Sequence, residues 1–184
     1  MSRESFEKIR DVEIPAYRKS HILARDMFLF GCYTGVCYAD VVSITHENLY
    51  TDEDGALWLK YRRKKNKLRA SVKLLPEAIA LIEKYHSEDR DTLFPLLHWS
   101  NLRRHMKALA ALAGIKDDLC YHQARHSFAS LITLEAGVPI ETISRMLGHS
   151  DISTTQVYAR VSPKKLFEDM DKFIEATKDF QLVL

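Results

Sequence analysis

The sequence predicts an α+β fold that is mainly α, with one small antiparallel β-sheet. Three observations carry this. Most of the chain divides into apolar stretches of helical length, closed by a Gly or opened by a Pro. Residues 56–61 alternate apolar and polar side chains, and residues 71–75 form a second short strand-like run. The chain has 184 residues, 46% hydrophobic and 28% charged, with only 6 Gly and 5 Pro. That composition belongs to a single globular domain long enough to bury a core, without long disordered regions.

Residues 1–19 are polar and mixed, with no clear period, and read as a linker or interdomain arm. The folded unit is expected over 20–184. From His21 to Tyr33, the residues Ile22, Leu23, Met27, Phe28, Leu29 and Phe30 crowd a buried helix that Thr34 and Gly35 end. Ala39 to Ile44 forms a short second helix. An acidic turn, Thr51 to Gly55, leads into a strand from Ala56 to Tyr61, in which Leu57, Leu59 and Tyr61 share one face. Ser71 to Leu75 is its partner, and Arg62 to Arg69 joins the two as a hairpin. Pro76 opens a helix at its first turn, a position proline tolerates, and that helix runs to about Tyr85. Leu93 and Phe94 add a very short strand.

The rest is helical. Trp99 to Ala113 ends at Gly114, His122 to Ala136 at Gly137, and Pro139 to Leu147 at Gly148, each a plausible C-terminal cap. Ser150 or Asp151 caps the next helix, which carries Tyr158. Ser162 and Pro163 open a last helix to about Lys178, with Leu166, Met170, Phe173 and Ile174 on one stripe.

Cysteine usage and charge narrow the chemistry. Cys32, Cys37 and Cys120 follow no metal-ligand spacing, and an odd count reads as reduced thiols in a cytoplasmic protein. No apolar run reaches membrane-spanning length, so no membrane association is expected. No cluster of carboxylates offers a metal site, and no cofactor is called for. The net charge is only +2, but Lys60, Arg62, Arg63, Lys64, Lys65, Lys67, Arg69 and Lys73 place eight cations in fourteen residues with no acid among them. That is a local anion-binding patch.

The polar groups most able to do chemistry are His122, Arg125, His149 and Tyr158. His122 and Arg125 are three apart and share a helix face. His149 opens the turn after Gly148. A guanidinium, two imidazoles and a phenol suit phosphoryl transfer to tyrosine. Arg125 offers fixed, always-charged donors to phosphate oxygens. His122 can donate to phosphate or take the tyrosine proton, His149 can hydrogen-bond a non-bridging oxygen, and Tyr158 can attack. Lys65, in the hairpin, can protonate the leaving oxygen.

These residues also carry a resemblance. His122-Gln123-Ala124-Arg125-His126-Ser127-Phe128-Ala129 is similar to the H-x-x-R-H-[ST]-F-A box of tyrosine recombinases, the phage-type integrases. Leu147-Gly148-His149, followed by Thr154, Thr155 and Tyr158, resembles that family's L-G-H-x-x-x-x-T-T-x-x-Y box. Thr34, Gly35 and Asp40 match its T-G-x-R-x-x-[ED] box. The likeness runs from about His21 to Tyr158 and implies the family's catalytic fold, with no metal. Tyr158 would form a covalent 3′-phosphotyrosine and release a 5′ hydroxyl. Arg125 and His149 would hold the scissile phosphate, His122 would move a proton, and Lys65 would be the hairpin lysine. Lys60, Arg62, Arg63, Lys64, Lys67 and Arg69 would bind double-stranded DNA. The activity implied is site-specific recombination in integration or excision of a mobile element, by an enzyme associated with the nucleoid.

Two departures stand out. Cys37 occupies the place of the family's first arginine, which the branch found in mobile elements of gut anaerobes often lacks too. Arg62, Arg63 or Arg69 is expected to supply the missing charge. The second departure is length. About twenty residues precede the catalytic part, so the family's helical core-binding domain is expected to be absent from this chain. Residues 158–184 would hold the nucleophile and a C-terminal helix that can be exchanged between protomers of a tetramer on DNA. The alternatives are a DNA-binding module of the same fold without turnover, and a DNA-relaxing enzyme of the type IB topoisomerase kind.

Overall fold

In a computed structural model, residues 1–158 and 163–178 of the chain are described. The centre of the domain is α2, Lys19–Thr34, whose residues from Asp26 to Thr34 are all buried. A helix apolar on every side has to be surrounded. It packs against α4 (Pro76–Lys84), α5 (Trp99–Leu112) and α6 (His122–Ser127). Its one buried acid, Asp26, receives Arg25 Nε at 2.9 Å, Lys84 Nζ at 2.6 Å and the Tyr85 hydroxyl at 2.9 Å, which locks α4 onto it. Buried charge is tolerated because it is paired and hydrogen-bonded.

The sheet is antiparallel, in the order β1 (Leu49–Thr51), β2 (Leu57–Arg62), β3 (Arg69–Lys73). Leu59 pairs with Val72, Tyr61 with Ala70 and Arg62 with Arg69. Leu59, Tyr61, Ala70 and Val72 are buried, whereas Lys60, Arg62 and Arg69 are exposed. α3 is the single turn Tyr38–Val41. α7, Ile140–Leu147, packs on β3 and on the segment that follows α6. Among the described residues no helix is long and apolar enough to cross a membrane.

The mainly helical architecture with one small antiparallel sheet is as expected, and several elements differ in detail. Residues 1–19 hold a helix, α1 (Arg3–Asp11), with Ser2 Oγ accepting the Ser5 N–H at its N-cap and with Phe6 and Ile9 buried. Two apolar residues at i and i+3 give too weak a period to stand out from the polar majority. β1 is only three residues long and lies where an acidic turn was expected to begin. Leu93 and Phe94 form no strand; Leu93 N–H bonds the Ile44 carbonyl beside a single bridge from Thr45 to Thr92. The long helix expected from His122 to Ala136 changes its winding after Ser127 and continues as a π-helix, Phe128–Leu134. Thr133 Oγ1 there donates to the carbonyls of Phe128 and Ala129. α8, Ser153–Gln156, is one turn, so Tyr158 lies in the turn after it. The N-cap of α8 is Ile152 rather than Ser150 or Asp151, although the Asp151 carboxylate, one residue earlier, accepts the Ser153 N–H at 2.9 Å. α9, Pro163–Ala176, exposes Leu166, Phe167, Met170, Phe173 and Ile174, each at 47% or more. Ser162 and residues 179–184 lie outside the described residues.

Candidate active site

The site forms where three chain reversals meet. Gly35 ends α2 with φ +71°, and Gly148 ends α7 with φ +60°, both in the left-handed region that favours glycine. The freed carbonyls of this pair of helix ends are gathered by Arg125. Its Nη1 donates to Gly35 O at 2.7 Å, and its Nη2 to Leu147 O at 2.6 Å. Arg125 is 2% exposed.

His149 is fixed from both sides. Arg125 Nη2 lies 2.9 Å from Nε2, and Thr155 Oγ1 lies 2.7 Å from Nδ1. A guanidinium can only donate, so Nε2 accepts and the ring proton sits on Nδ1, directed at Thr155. Burial, together with the charges of Arg125, Arg63 and Lys65, pushes His149 down to about 4. The imidazole is neutral at pH 7. An incoming anion would reverse the balance, drawing a proton onto Nε2 and turning it into a donor. Valine at Thr155 is therefore expected to free the ring and slow any phosphoryl transfer roughly ten-fold, the worth of about 1.4 kcal/mol of hydrogen bonding, as measured by single-turnover kinetics.

The hairpin between β2 and β3 closes over this turn. Asp40 Oδ1 accepts the Lys64 N–H at 2.8 Å. The Gly148 carbonyl accepts both Arg63 Nη1 at 2.9 Å and Asn66 Nδ2 at 3.1 Å. Lys67 turns the hairpin with φ +59°, unusual for a residue with a side chain. Lys65 is exposed at the tip, and its charge helps to push down both His122 and His149.

The three arginines of the hairpin part company. Arg62 and Arg69 face outward as cross-strand partners. Arg63 is 7% exposed and turns inward, its Nη2 lying 3.9 Å from Cys37 Sγ and its Nε buried with no hydrogen-bond partner among the described residues. It therefore does not belong to the exposed basic surface, where Lys60, Lys64 and Lys67 do lie. Lys60 Nζ sits 3.7 Å over the Tyr50 ring.

Tyr158 is half-buried against the cluster of Val72, Phe128, Ala129, Ile143 and Leu147. Burial pushes its phenol up, and the charges of Arg125 and Arg63 pull it back. His126, absent from the candidate set, meets the Tyr158 ring edge to face at 4.5 Å and the His122 ring at 5.0 Å. Its position next to Arg125 in the first box was the available signal. Thr155 was likewise marked only as part of the second box. His122 itself is partly covered but keeps much of its surface exposed. Among the described residues, no three His, Cys, Asp or Glu side chains gather as a metal site.

Burial holds His122, His126 and His149, and also His21 and His105, below the ordinary value of 6.5. The unfolded chain therefore binds more protons than the folded one as pH falls. The stability these rings allow is complete above about 6.5 and declines as pH falls, for His149 down to about 4. Urea unfolding at pH 7.5 and pH 5 is expected to show this loss, with a smaller loss in His149→Gln.

Comparison with known proteins places this geometry. Residues 5–165 match the Phage integrase family. The chain is 32% identical to the tyrosine recombinase XerD of Lacticaseibacillus casei over 156 residues, covering 77% of this chain and 52% of that one. It is similar in fold to the XerA recombinase, with a TM-score of 0.70 at 22% identity over 94% of this chain and 64% of that one. It is also similar to the catalytic domain of bacteriophage HP1 integrase, with a TM-score of 0.61 at 21% identity over 93% of this chain and 92% of that one. The chain spans about half the length of the curated relatives it matches. By the reach of the family match, which begins inside α1 and continues past Tyr158, the chain belongs to the phage integrase family.

Proposed function

We propose that this chain is the catalytic part of a site-specific DNA recombinase that breaks and rejoins strands through a 3′-phosphotyrosine. The observation that carries this is the pair of buried guanidiniums, Arg125 and Arg63, whose contacts among the described residues are all to neutral groups: carbonyl oxygens, a thiol and an imidazole nitrogen. Buried cations are costly without a counter-ion. A phosphodiester supplies that charge, and more of it as the transition state forms.

Tyr158 Oη attacks the scissile phosphorus, forming the tyrosine–phosphorus bond as the bond to the 5′ oxygen breaks. Its proton passes to His122 or to solvent, and Lys65 returns one to the 5′ oxygen. Arg125 and Arg63 hold the non-bridging oxygens, and His149 Nε2, once protonated, joins them. The 5′ hydroxyl of a partner strand then attacks the phosphotyrosine and releases Tyr158, so the bond energy is conserved. Arg63 takes the part of the arginine that Cys37 cannot play. Arg62 and Arg69, like charges directly opposite on neighbouring strands, repel unless a polyanion lies between them, and with Lys60, Lys64 and Lys67 they serve double-stranded DNA. The XerH recombinase and the Tn1549 transposon integrase, solved bound to DNA, are similar in fold, which supports DNA as the partner, and the transposon origin of the second supports a mobile-element role. The exposed apolar stripe of α9 suits docking on a second protomer in a tetramer.

The test is incubation with a pool of nicked random-sequence duplexes. A denaturant-resistant protein–DNA adduct is expected, and Tyr158→Phe, which keeps the ring and its packing, removes it. An adduct undiminished in Tyr158→Phe would defeat the proposal.

A further inference from the structure

Beside the phosphate site lies a cavity of about 310 Å³ that the strand-transfer chemistry leaves unused. Its walls are Cys37, Tyr38, Trp99 and Tyr121, and two of its lining residues are His122 and Arg125. It opens where α3, α5 and α6 all begin. The aromatic walls are held rigidly. The Tyr38 hydroxyl donates to Leu97 O at 2.7 Å, and the Tyr121 hydroxyl to Met27 O at 3.0 Å. The Tyr38 ring lies 5.0 Å from Trp99 and 6.0 Å from Tyr121. Trp99 remains 49% exposed at the lip. The volume is at the small end of ligand cavities, enough for one ring system and far too narrow for a duplex.

We infer that this cavity is a nucleobase subsite, in which the base next to the scissile phosphate leaves the helical stack and lies against the Trp99 indole. The inference rests on the phosphodiester reading above. A phosphate held by Arg125, which lines the cavity together with His122, has a nucleoside joined to it on either side, one covalent step from the cavity mouth. Aromatic faces accept any base by stacking, so the subsite positions the strand without reading sequence. Unstacking one base costs the duplex energy, which stacking on Trp99 offsets. The purpose is mechanical: a displaced base bends the strand at the scissile phosphate and exposes the phosphorus to Tyr158.

Trp58→Phe leaves Trp99 as the one indole, since the chain has two tryptophans. That protein is titrated with thymidine 3′-phosphate and with 2-deoxyribose 3-phosphate, following indole fluorescence and, for both ligands, calorimetry. The nucleotide should quench Trp99 and bind about ten-fold more tightly than the sugar phosphate, and inorganic phosphate should displace both. In the otherwise unaltered chain, Trp99→Leu should equalise the two ligands, while Trp99→Phe, which keeps an aromatic face, should retain most of the difference. Equal binding of the two ligands, both displaced by phosphate, overturns the base subsite and leaves the phosphate site standing. Binding that inorganic phosphate fails to displace overturns the phosphate reading and the subsite with it. Nucleotide binding that weakens as protein concentration rises, and recovers in a chain ending at Lys178, assigns the cavity to the C-terminal segment of a second copy and overturns the inference.

Discussion

Alanine at Arg63 is expected to slow formation of the covalent protein–DNA adduct by about 100- to 1,000-fold, and arginine at position 37 in the same variant to return much of the loss. Removing one fixed cation from a charge-developing, water-poor site accounts for the size of the fall. The recovery follows from the 3.9 Å between Arg63 Nη2 and Cys37 Sγ: the two positions serve one place in space from different segments of the chain. Lysine at Arg63 should restore only part, because a single ammonium cannot both bond the Gly148 carbonyl and reach a phosphate as the two-ended guanidinium does. Alanine at Arg62 or Arg69 should act differently. Those side chains face outward, so their loss should weaken DNA binding and flatten its salt dependence by about one phosphate contact each, with little change in the rate of bound enzyme. Rapid-quench measurement at saturating DNA separates the two effects.

Alanine at Gly35 is expected to destabilise the fold by about 2–5 kcal/mol, the sum of a left-handed backbone penalty and overpacking. A Cβ there would stand 2.6 Å from Leu147 Cδ2 and 2.7 Å from Phe128 Cδ1. The damage reaches the site because the Gly35 carbonyl anchors Arg125 Nη1. Thermal unfolding should show Tm lower by roughly 10 °C for a chain of this size. Adduct formation should fall well below the parent rate even at temperatures where the variant remains folded. A variant that melts early but reacts at the parent rate would separate the Gly35 turn from Arg125 placement.

Much of the candidate site was legible in the sequence because its residues lie in short-range spacing. His122 and Arg125 come from one helix start, and His149 and Tyr158 bracket one turn-and-helix unit. The gap at Cys37 was equally plain. Of the three candidate arginines, strand parity singles out the one that turns inward. Leu57, Leu59 and Tyr61 share a face, and one further step of two along the chain is Arg63, whereas Arg62 has the opposite parity and Arg69 sits beside the buried Ala70. The hydrophobic alternation stopped being informative just where a charged residue took over the inward position.

Other features had no local signal. α1 rests on two buried side chains, Phe6 and Ile9, whose partners are distant in sequence. The change from α to π winding after Ser127 depends on tertiary packing and on Thr133 reaching back to Phe128 O and Ala129 O. Thr155 and His126 gain their importance only when the fold sets one against His149 and the other against Tyr158.

The most direct test of a phosphate gripped by two buried guanidiniums is a crystal structure of the chain with a nicked duplex and orthovanadate, which mimics the five-coordinate phosphorus. The expected result is vanadium bonded to Tyr158 Oη, with nitrogen atoms of both Arg125 and Arg63 within hydrogen-bonding distance of its equatorial oxygens and Cys37 Sγ outside bonding distance. Vanadate held by Arg125 with Arg63 still turned only toward Gly148 and Cys37, or vanadate bonded to a residue other than Tyr158, would contradict it.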